Sequence, residues 1–211
     1  LVQNTSVIKT DIATKVTDEV FVGILSKTDS YIIALLNSLF KTNPGVNPKQ
    51  IIVIDDGISD NVRAKYPVIW IPGIRPFAFS RNANLALRAA RMKKKDLWLC
   101  NDDLLCVSND PINRLYNVAH EIDKLGVLSP VVRGGGVGNT AQWEENTKEL
   151  TEEKKSILCF VSVYIPLSTI DEIGLLDEDF GQFTYGHQDD EFCLRARRAG
   201  LKLMITPEVM V

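Results

Sequence analysis

The sequence predicts an α/β fold with a mostly parallel central sheet flanked by helices. Short apolar runs rich in β-branched residues alternate with amphipathic runs along the chain, which is typical of repeated strand–helix–strand units. Two of the apolar runs stop at acidic residues, where ligands of such sheets bind. The chain of 211 residues is 45% hydrophobic and 24% charged, which suits one globular domain.

The first half of the chain contains four predicted strands and two predicted helices. Residues 1–19 are polar and show no periodicity, so we expect a lead-in without regular structure. Ser80 is the predicted N-cap of the second helix. The predicted strands cover 20–25, 50–56, 67–71 and 96–103, and the predicted helices cover 32–40 and 80–92.

The second half continues the alternation after a long helix. Asp110 is its predicted cap, Pro111 its first residue and Gly126 its end. A polar, glycine-rich stretch at 133–155 predicts a mobile loop; its GGGVG lacks the G-x-G-x-x-G pattern of a dinucleotide site. The predicted strands are 127–132, 156–167 and 201–206, and the predicted helices are 110–126, a short one within 168–180, and 189–200.

The composition argues against several classes of partner. Lys and Arg number 24 against 27 Asp and Glu, so the net charge of −3 argues against nucleic acid. No apolar run approaches the ~20 residues of a membrane span, and the N-terminus lacks the apolar core of a signal peptide. The four cysteines form no C-x-x-C pair and lie in or beside apolar stretches, which predicts reduced thiols in a cytoplasmic protein.

Oxygen-bearing side chains gather where two predicted strands end. One strand stops at Asn101, Asp102 and Asp103, and Mg²⁺ and Mn²⁺ prefer oxygen ligands of this kind. The alternative is a polar strand end in a turn. A second strand stops at the run DDGISD, residues 55–60, for which a turn capped by its own side chains is an equal alternative.

Two helix starts carry further charge. Arg81 and Asn82 begin a helix whose N-terminus attracts anions, although pairing of Arg81 with a surface acid is the alternative. The run HQDDEFCLRARRAG begins another helix with three acids, which the helix dipole alone would favour. The aromatic, glycine-broken FGQFTYGHQ before it would carry these acids into a cleft, where a carboxylate can act as general base.

Taken together, these four segments resemble the inverting nucleotide-sugar glycosyltransferases of the GT-A fold, family 2, rhamnosyltransferase-like branch. The similarity covers roughly residues 20–211. The matching motifs are DDGISD, FAFSRNANLALRAA, the D-x-D-like NDD, and GLLDEDF followed by HQDDEFCLRARRAG. The resemblance implies a single GT-A domain, with a nucleotide-sugar-binding half at 20–103 and an acceptor-side half at 104–211.

Individual roles follow from matching these motifs residue by residue. The resemblance implies that Asp56 contacts the nucleotide base, that Arg81 lies near the nucleotide or its diphosphate, and that Asp102 lies on the ribose side. It also implies that Asp103 binds the divalent metal that bridges the diphosphate and that Asp189 is the general base.

Three more residues belong to the predicted site, and three departures from the family pattern stand beside them. Asn82 is expected at the nucleotide, Asn101 at the metal, and Glu191 beside the acceptor. Asn101 replaces the first acid of D-x-D, and Gln188 replaces the glutamate of the E-D motif. The family's histidine would lie past Val211, which predicts a longer protein with further domains.

The resemblance implies a single displacement, assisted by Mn²⁺ or Mg²⁺, that moves a sugar to a hydroxyl acceptor with inversion. A UDP-sugar is the expected donor, ahead of dTDP- and GDP-sugars, and GGGVG at 134–138 is expected to be a flexible loop on the acceptor side. One alternative is a module that binds a sugar nucleotide without turnover. Another is a nucleotidyltransferase, which would need a glycine-rich, basic loop where this chain has SKTDSY after its first strand.

Overall fold

A computed structural model describes residues 15–134, 140–143, 147–180 and 186–211. The strands are β1 (Val20–Ser26), β2 (Ile51–Asp55), β3 (Ile69–Pro72), β4 (Asp96–Asn101), β5 (Leu125–Val131), β6 (Thr151–Glu152), β7 (Ser162–Ile165) and β8 (Lys202–Met210). The helices are α1 (Asp29–Thr42), α2 (Asp60–Lys65), α3 (Phe79–Met92), α4 (Pro111–Glu121), α5 (Thr140–Trp143), α6 (Leu167–Ile173) and α7 (Gln188–Arg198).

In the described part of the chain, eight strands form one sheet in the order β3-β2-β1-β4-β7-β5-β8-β6. Strands β3, β2, β1 and β4 pair in parallel with one another. β7 runs antiparallel to β4 and β5, whereas β8 is parallel to β5. The predicted α/β class is confirmed, and the first four strands end at the same edge of the sheet.

Helices cover both faces of this sheet. Apolar side chains of α1 and α4 pack on one face, where Trp98 and Tyr164 are fully buried. Side chains of α3, α6 and α7 pack on the other face, around Leu87 and Phe192. A strand buried on both faces needs apolar residues at successive positions, which explains the continuous apolar runs of β1, β2 and β4.

Helix α3 approaches β1 very closely at Gly23. A Cβ atom at this position would lie 2.9 Å from Cβ of Ala86 and 3.0 Å from Cδ1 of Leu97. Only hydrogen fits there, so the helix packs directly on the strand backbone. This contact sets the position of the N-terminal end of α3 beside the end of β1.

The predicted strand 156–167 is wrong in its first half. Only Ser162–Ile165 pair as a strand, and the preceding residues use their amides elsewhere. The amide of Cys159 donates to Oε1 of Gln142 at 2.9 Å, and that of Phe160 donates to Oδ2 of Asp189 at 3.4 Å. Apolar composition predicted a strand here, but side chains distant in sequence take up the backbone hydrogen bonds.

Two predicted helix ends differ from the structure, and the predicted cap Asp110 is confirmed at the N-cap position of α4. Ser80 is the second residue of α3, and Ala78 occupies the N-cap position. Asp110 does precede Pro111, the first residue of α4, but its carboxylate accepts from the side chain of Asn113 rather than from a backbone amide. Gly126 does not end a helix but lies in β5. Glycine is needed there because a Cβ atom would lie 2.9 Å from Cβ of Leu201.

Some elements were not predicted. Helix α2 follows β2, and the predicted mobile loop 133–155 contains α5 and β6. Residues 135–139 and 144–146 of that loop, with most of GGGVG, lie outside the described residues, as do residues 181–185 of FGQFTYGHQ. The final strand extends beyond the predicted end, to Met210, where it pairs with Val131.

Two predictions from composition can be compared with the structure. All four cysteines lie in the described part of the chain and none of them forms a disulfide, as predicted. Among the described residues, helices fall short of the length and apolar character that crossing a bilayer requires.

We expect Gly23→Ala to destabilise the fold by about 1–3 kcal/mol, because the added methyl group overpacks the contact with α3. Urea unfolding would measure the change. In an Ala86→Gly background the same substitution should cost less, because its closest contact is gone. Ala89→Gly is the matched control on α3, and equal costs of Gly23→Ala in both backgrounds would contradict the contact.

Candidate functional site

The carboxyl ends of β1, β2 and β4 bring the predicted acidic runs together. In the register of the sheet, Ser26 pairs with Asp55, and Leu25 pairs with Asn101. The residues that follow β2 and β4 therefore flank the turn that follows β1. The two clusters predicted separately from the sequence lie at one edge of the sheet.

Asp102 closes the turn between β1 and α1. Its Oδ2 accepts from Oγ of Ser26 at 2.8 Å and from the amides of Lys27 and Thr28 at 3.2 and 3.3 Å. The side chain of Thr28, the N-cap residue of α1, makes no capping hydrogen bond. Asp102 thus orders the loop that forms one wall of the adjacent cleft.

The two acids at the end of β2 have different environments. Oδ1 of Asp55 accepts from the amides of Gly57 and Ile58 at 2.8 and 2.7 Å, and Oδ2 pairs with Arg63. Burial raises the pKa of Asp55, but these amides and Arg63 outweigh burial and lower the pKa overall. Asp56 pairs with Nε of the exposed Arg75 at 3.2 Å. Asp55 therefore organises the turn, while Asp56 lies closer to solvent.

Asp103 lies in a cleft of about 320 Å³ at this edge. It is exposed, and its carboxylate makes no hydrogen bond or ion pair with a described residue. The cleft is lined by Leu25, Ser26, Lys27, Phe77, Phe79, Asn101, Asp102 and Asp103. The lining side chains that could bind a metal all offer oxygen atoms; they belong to Ser26, Asn101, Asp102 and Asp103. Lys27 adds a positive charge to the same lining.

The described residues contain no cluster of three His, Cys, Asp or Glu that could enclose a metal. Mg²⁺ and Mn²⁺ at phosphate sites typically use one or two protein carboxylates, with phosphate and water as the other ligands. The unpaired carboxylate of Asp103 and the nearby amide of Asn101 fit such an open site.

A second, smaller cleft of about 100 Å³ adjoins the first. Its lining residues are Phe79, Asn101, Cys159, Phe160, Val161, Gly186, Gln188 and Asp189. Phe79 and Asn101 line both clefts, so the two form one groove. The groove has Asp103 at one end and Asp189 at the other.

Three acids lie in the first turn of α7, and Asp189 is the one of these three that lines the groove. Its Oδ1 accepts from the amide of Asp190 at 3.1 Å and its Oδ2 from the amide of Phe160 at 3.4 Å. Burial raises the pKa of Asp189, and the negative charge of Asp190 raises it further. A carboxylate with a raised pKa is a stronger base than an exposed one.

The two neighbouring acids are paired elsewhere. Oδ2 of Asp190 lies 2.6 Å from Nδ1 of His187, and this contact raises the pKa of His187. Glu191 forms a two-point ion pair with Arg195, whose guanidinium also donates to the carbonyl of Leu175 at 2.8 Å. Glu191 therefore holds the side chain of Arg195, and Arg195 ties α7 to the segment after α6.

Arg81 and Asn82 lie in the first turn of α3. The guanidinium of Arg81 makes no hydrogen bond or ion pair with a described residue. The pKa of Glu178 is lowered chiefly by its hydrogen bond from Asn84, and the charge of Arg81 lowers it slightly further. Asn82 is buried, and its Oδ1 accepts from the amide of Ile74 at 2.7 Å. Asn82 thus holds the β3–α3 connection in place, while Arg81 retains its donors for a ligand.

Several groove residues were not predicted from the sequence. Lys27 directly follows a buried strand. Polar side chains also follow the other strands of the site, so the position of Lys27 at a strand end could have identified it. Phe77 and Phe79 belong to the connection PGIRPFAF, for which sequence patterns indicate only irregular structure.

Gln142 supports the wall of the smaller cleft from behind. It is fully buried, with Nε2 donating to the carbonyl of Cys159 at 2.8 Å and Oε1 accepting from the amide of Cys159 at 2.9 Å. Nε2 also donates to Oγ of Ser129 at 2.9 Å. These bonds fix the Cys159–Phe160 segment, which in turn bonds Asp189. No sequence motif marks this long-range pairing.

Neither a protein-family model nor a curated protein matches this sequence. Solved structures do match its fold. GalNAc-T7 with UDP, GalNAc and Mn²⁺ is 15% identical, with a TM-score of 0.67 over 91% of this chain and 43% of that one. S. aureus TarS 1–349 is 17% identical, with a TM-score of 0.64 over 92% of this chain and 60% of that one.

A third match is the mannosyltransferase PcManGT from Pyrobaculum calidifontis in complex with GDP-Man and Mn²⁺. It is 13% identical, with a TM-score of 0.62 over 91% of this chain and 55% of that one. At these identities the likeness concerns the fold, and the predicted GT-A fold is confirmed. The chain spans between 43% and 60% of the length of these three structures.

We expect the Asp189 carboxyl to titrate above 3.8, its ordinary pKa, because burial disfavours the charged form. Carbon-13 NMR of the side-chain carboxyl would follow the titration. In Asp190→Asn the pKa of Asp189 should fall, since a like charge is removed. Asp123→Asn, at an exposed position between α4 and β5, is the control. A pKa at or below the ordinary value would contradict the environment described for Asp189.

Proposed function

We propose that this chain is the GT-A domain of a family 2 glycosyltransferase of the rhamnosyltransferase-like branch. It moves a sugar from a nucleoside-diphosphate sugar, with a UDP-sugar as the first candidate, to a hydroxyl acceptor with inversion. The observation that carries the proposal is the single groove with the unpaired carboxylate of Asp103 at one end and the partly buried Asp189, whose pKa is raised, at the other. The presence of UDP or GDP-Man with Mn²⁺ in structures of the same fold supports it.

The donor side lies in the half at 20–103. Asp103, with Asn101, would hold Mn²⁺ or Mg²⁺, which when bound offsets charge on the departing diphosphate. Lys27 at the cleft and Arg81 at the start of α3 add positive charge for the phosphates. Asp56 lies on the base side, next to Arg75.

Asp102 has a double part in this proposal. Its Oδ2 is taken by Ser26 and the turn amides, so it orders the loop at the donor. A carboxylate has acceptor capacity on its second oxygen as well, which suits a ribose hydroxyl. Asn82 acts through the β3–α3 connection rather than by direct contact.

The acceptor side lies in the half at 104–211. Asp189 accepts the proton of the acceptor hydroxyl as that oxygen attacks the anomeric carbon. The acceptor oxygen forms its bond to the sugar while the bond from the sugar to the diphosphate breaks on the opposite side, so the configuration inverts. The raised pKa of Asp189 favours proton transfer from a neutral hydroxyl.

The free thiols of Cys100, Cys106 and Cys193 in the core favour a reducing compartment such as the cytoplasm. The proposal includes no nucleic-acid partner, since the net charge is −3.

Donor turnover tests the proposal directly. The protein is incubated with Mn²⁺ and a set of UDP-, dTDP- and GDP-sugars, and release of the nucleoside diphosphate is measured with and without sugar acceptors. Metal-dependent release that an acceptor stimulates supports a transferase. Tight binding without any release would instead support a module that only binds the sugar nucleotide. Release of pyrophosphate in a parallel incubation with a nucleoside triphosphate would support a nucleotidyltransferase.

We expect Asp103→Ala to abolish Mn²⁺-dependent binding of nucleoside diphosphates, because the carboxylate is the anionic ligand of the open site. Isothermal titration calorimetry with UDP and GDP, with and without Mn²⁺, would measure it. The melting temperature should stay near that of the wild type, since Asp103 makes no bond to a described residue. Asp123→Ala is the control of equal charge change, and unaltered Mn²⁺-dependent affinity in Asp103→Ala would refute the assignment.

We expect Asp189→Asn to slow transfer by about 10²–10⁴-fold, the usual contribution of a general base. Donor affinity should be nearly unchanged, because Asp189 lies at the other end of the groove from Asp103. Asp190→Asn should slow transfer by less than about tenfold, since its carboxylate is held by His187. If Asp190→Asn proved the more damaging of the two, the base would be Asp190.

A further inference from the structure

Among the described aromatic residues that line the two clefts, Phe79 is the one that lines both. It is the first residue of α3 and lines both the cleft at Asp103 and the cleft at Asp189. Asn101 is the other residue common to both linings, and it is polar. Phe79 is therefore the apolar surface at the junction of the groove.

The neighbouring aromatic residue differs from Phe79 in this respect. Phe77 lines only the cleft at Asp103, and its side chain is 45% exposed. Phe79 is partly buried and packs against the core under α3. The two rings therefore face different parts of any ligand that runs along the groove.

The proposed reaction defines what lies at the junction. The diphosphate must be near Asp103, and the acceptor hydroxyl must be near Asp189. The transferred sugar has to lie between the diphosphate and the acceptor hydroxyl, because its anomeric carbon is bonded first to the diphosphate and then to the acceptor oxygen. The junction lined by Phe79 and Asn101 is the part of the groove between them.

A hexose ring has faces of C–H groups as well as hydroxyl edges. Aromatic rings present an electron-rich face that packs favourably against such apolar patches. Polar groups around the ring then fix the orientation of the hydroxyls. The pairing of the Phe79 ring with the Asn101 amide supplies both kinds of contact.

The ring of Phe79 is held in place before any ligand binds. Helix α3 is fixed on β1 at Gly23, and Asn82 ties its first turn to Ile74. Packing against the core restricts the ring further. A surface that is already ordered loses little conformational entropy on binding.

We propose that Phe79 is a specificity-determining residue whose ring forms the platform for the transferred sugar of the donor. This inference rests on the proposed function. Phe79 contacts the sugar, while Phe77 contributes to the nucleotide end of the cleft.

The test compares a sugar nucleotide with its own nucleoside diphosphate. Affinities for UDP, UDP-glucose and UDP-N-acetylglucosamine, for dTDP and dTDP-glucose, and for GDP and GDP-mannose are measured with Mn²⁺ for the wild type and each variant. Phe79→Leu keeps an apolar side chain against the core but removes the flat ring, and Phe79→Tyr restores the ring. Phe77→Leu is the matched control at the nucleotide end.

We expect Phe79→Leu to weaken the sugar nucleotide that the wild type prefers by about five- to tenfold, which is the size of an aromatic packing contribution. Affinity for the matching nucleoside diphosphate should stay within about twofold, and Phe79→Tyr should recover the loss. Phe77→Leu should change both affinities by the same factor. Melting curves of each variant with and without ligand establish that it is folded.

The two possible failures are distinguishable. If the wild type binds none of the nucleotides in the presence of Mn²⁺, the proposed function itself fails. If the wild type binds them and Phe79→Leu leaves the ratio of sugar-nucleotide to nucleoside-diphosphate affinity unchanged, the role proposed for Phe79 is refuted and the proposed function is not. The same holds if Phe77→Leu changes that ratio and Phe79→Leu does not.

Discussion

The parallel pairing of β1 with β2 on one side and with β4 on the other is the constraint on which the candidate site depends. It places Ser26 beside Asp55 and Asn101 beside Leu25, one residue away along β1. Carboxylates organise two of the turns at this edge. Asp55 organises the turn after β2, and Asp102 organises the turn after β1. Because those two acids serve the backbone, the exposed Asp103 remains for a ligand.

The other end of the groove is built differently. There β7 runs antiparallel between β4 and β5, and the segment before it leaves the ladder to form a wall. Its hydrogen bonds go to Gln142 on one side and to Asp189 on the other. A short helix outside the sheet thus determines where the start of α7 can lie. Strand order positions the end of the groove at Asp103, whereas long-range polar contacts position the end at Asp189.

Sequence patterns were sufficient for the features that depend on local periodicity. Apolar runs ending in acids predicted which strands meet at the candidate site, and the run of acids at Asp189 predicted a helix start where α7 begins. Periodicity alone could not tell which acid of that helix faces the groove. The motif match selected Asp189, and in the structure His187 and Arg195 pair with the other two acids. Sequence patterns also could not assign Phe79, since its two-sided position arises only when α3 packs on β1. Gly126 misled for the same reason, as a close approach to Leu201 and not a helix end explains it.

The shared lining of the two clefts bears on whether selectivity at one cleft can change without the other. On the proposed function, residues such as Lys27 and Gln188 each line one cleft, so mutations there alter one substrate at a time. Phe79 and Asn101 line both, so a change at either alters the two selectivities together. Evolution of a new donor preference through these positions would carry a change in acceptor range with it, and two compensating mutations would be needed to separate them.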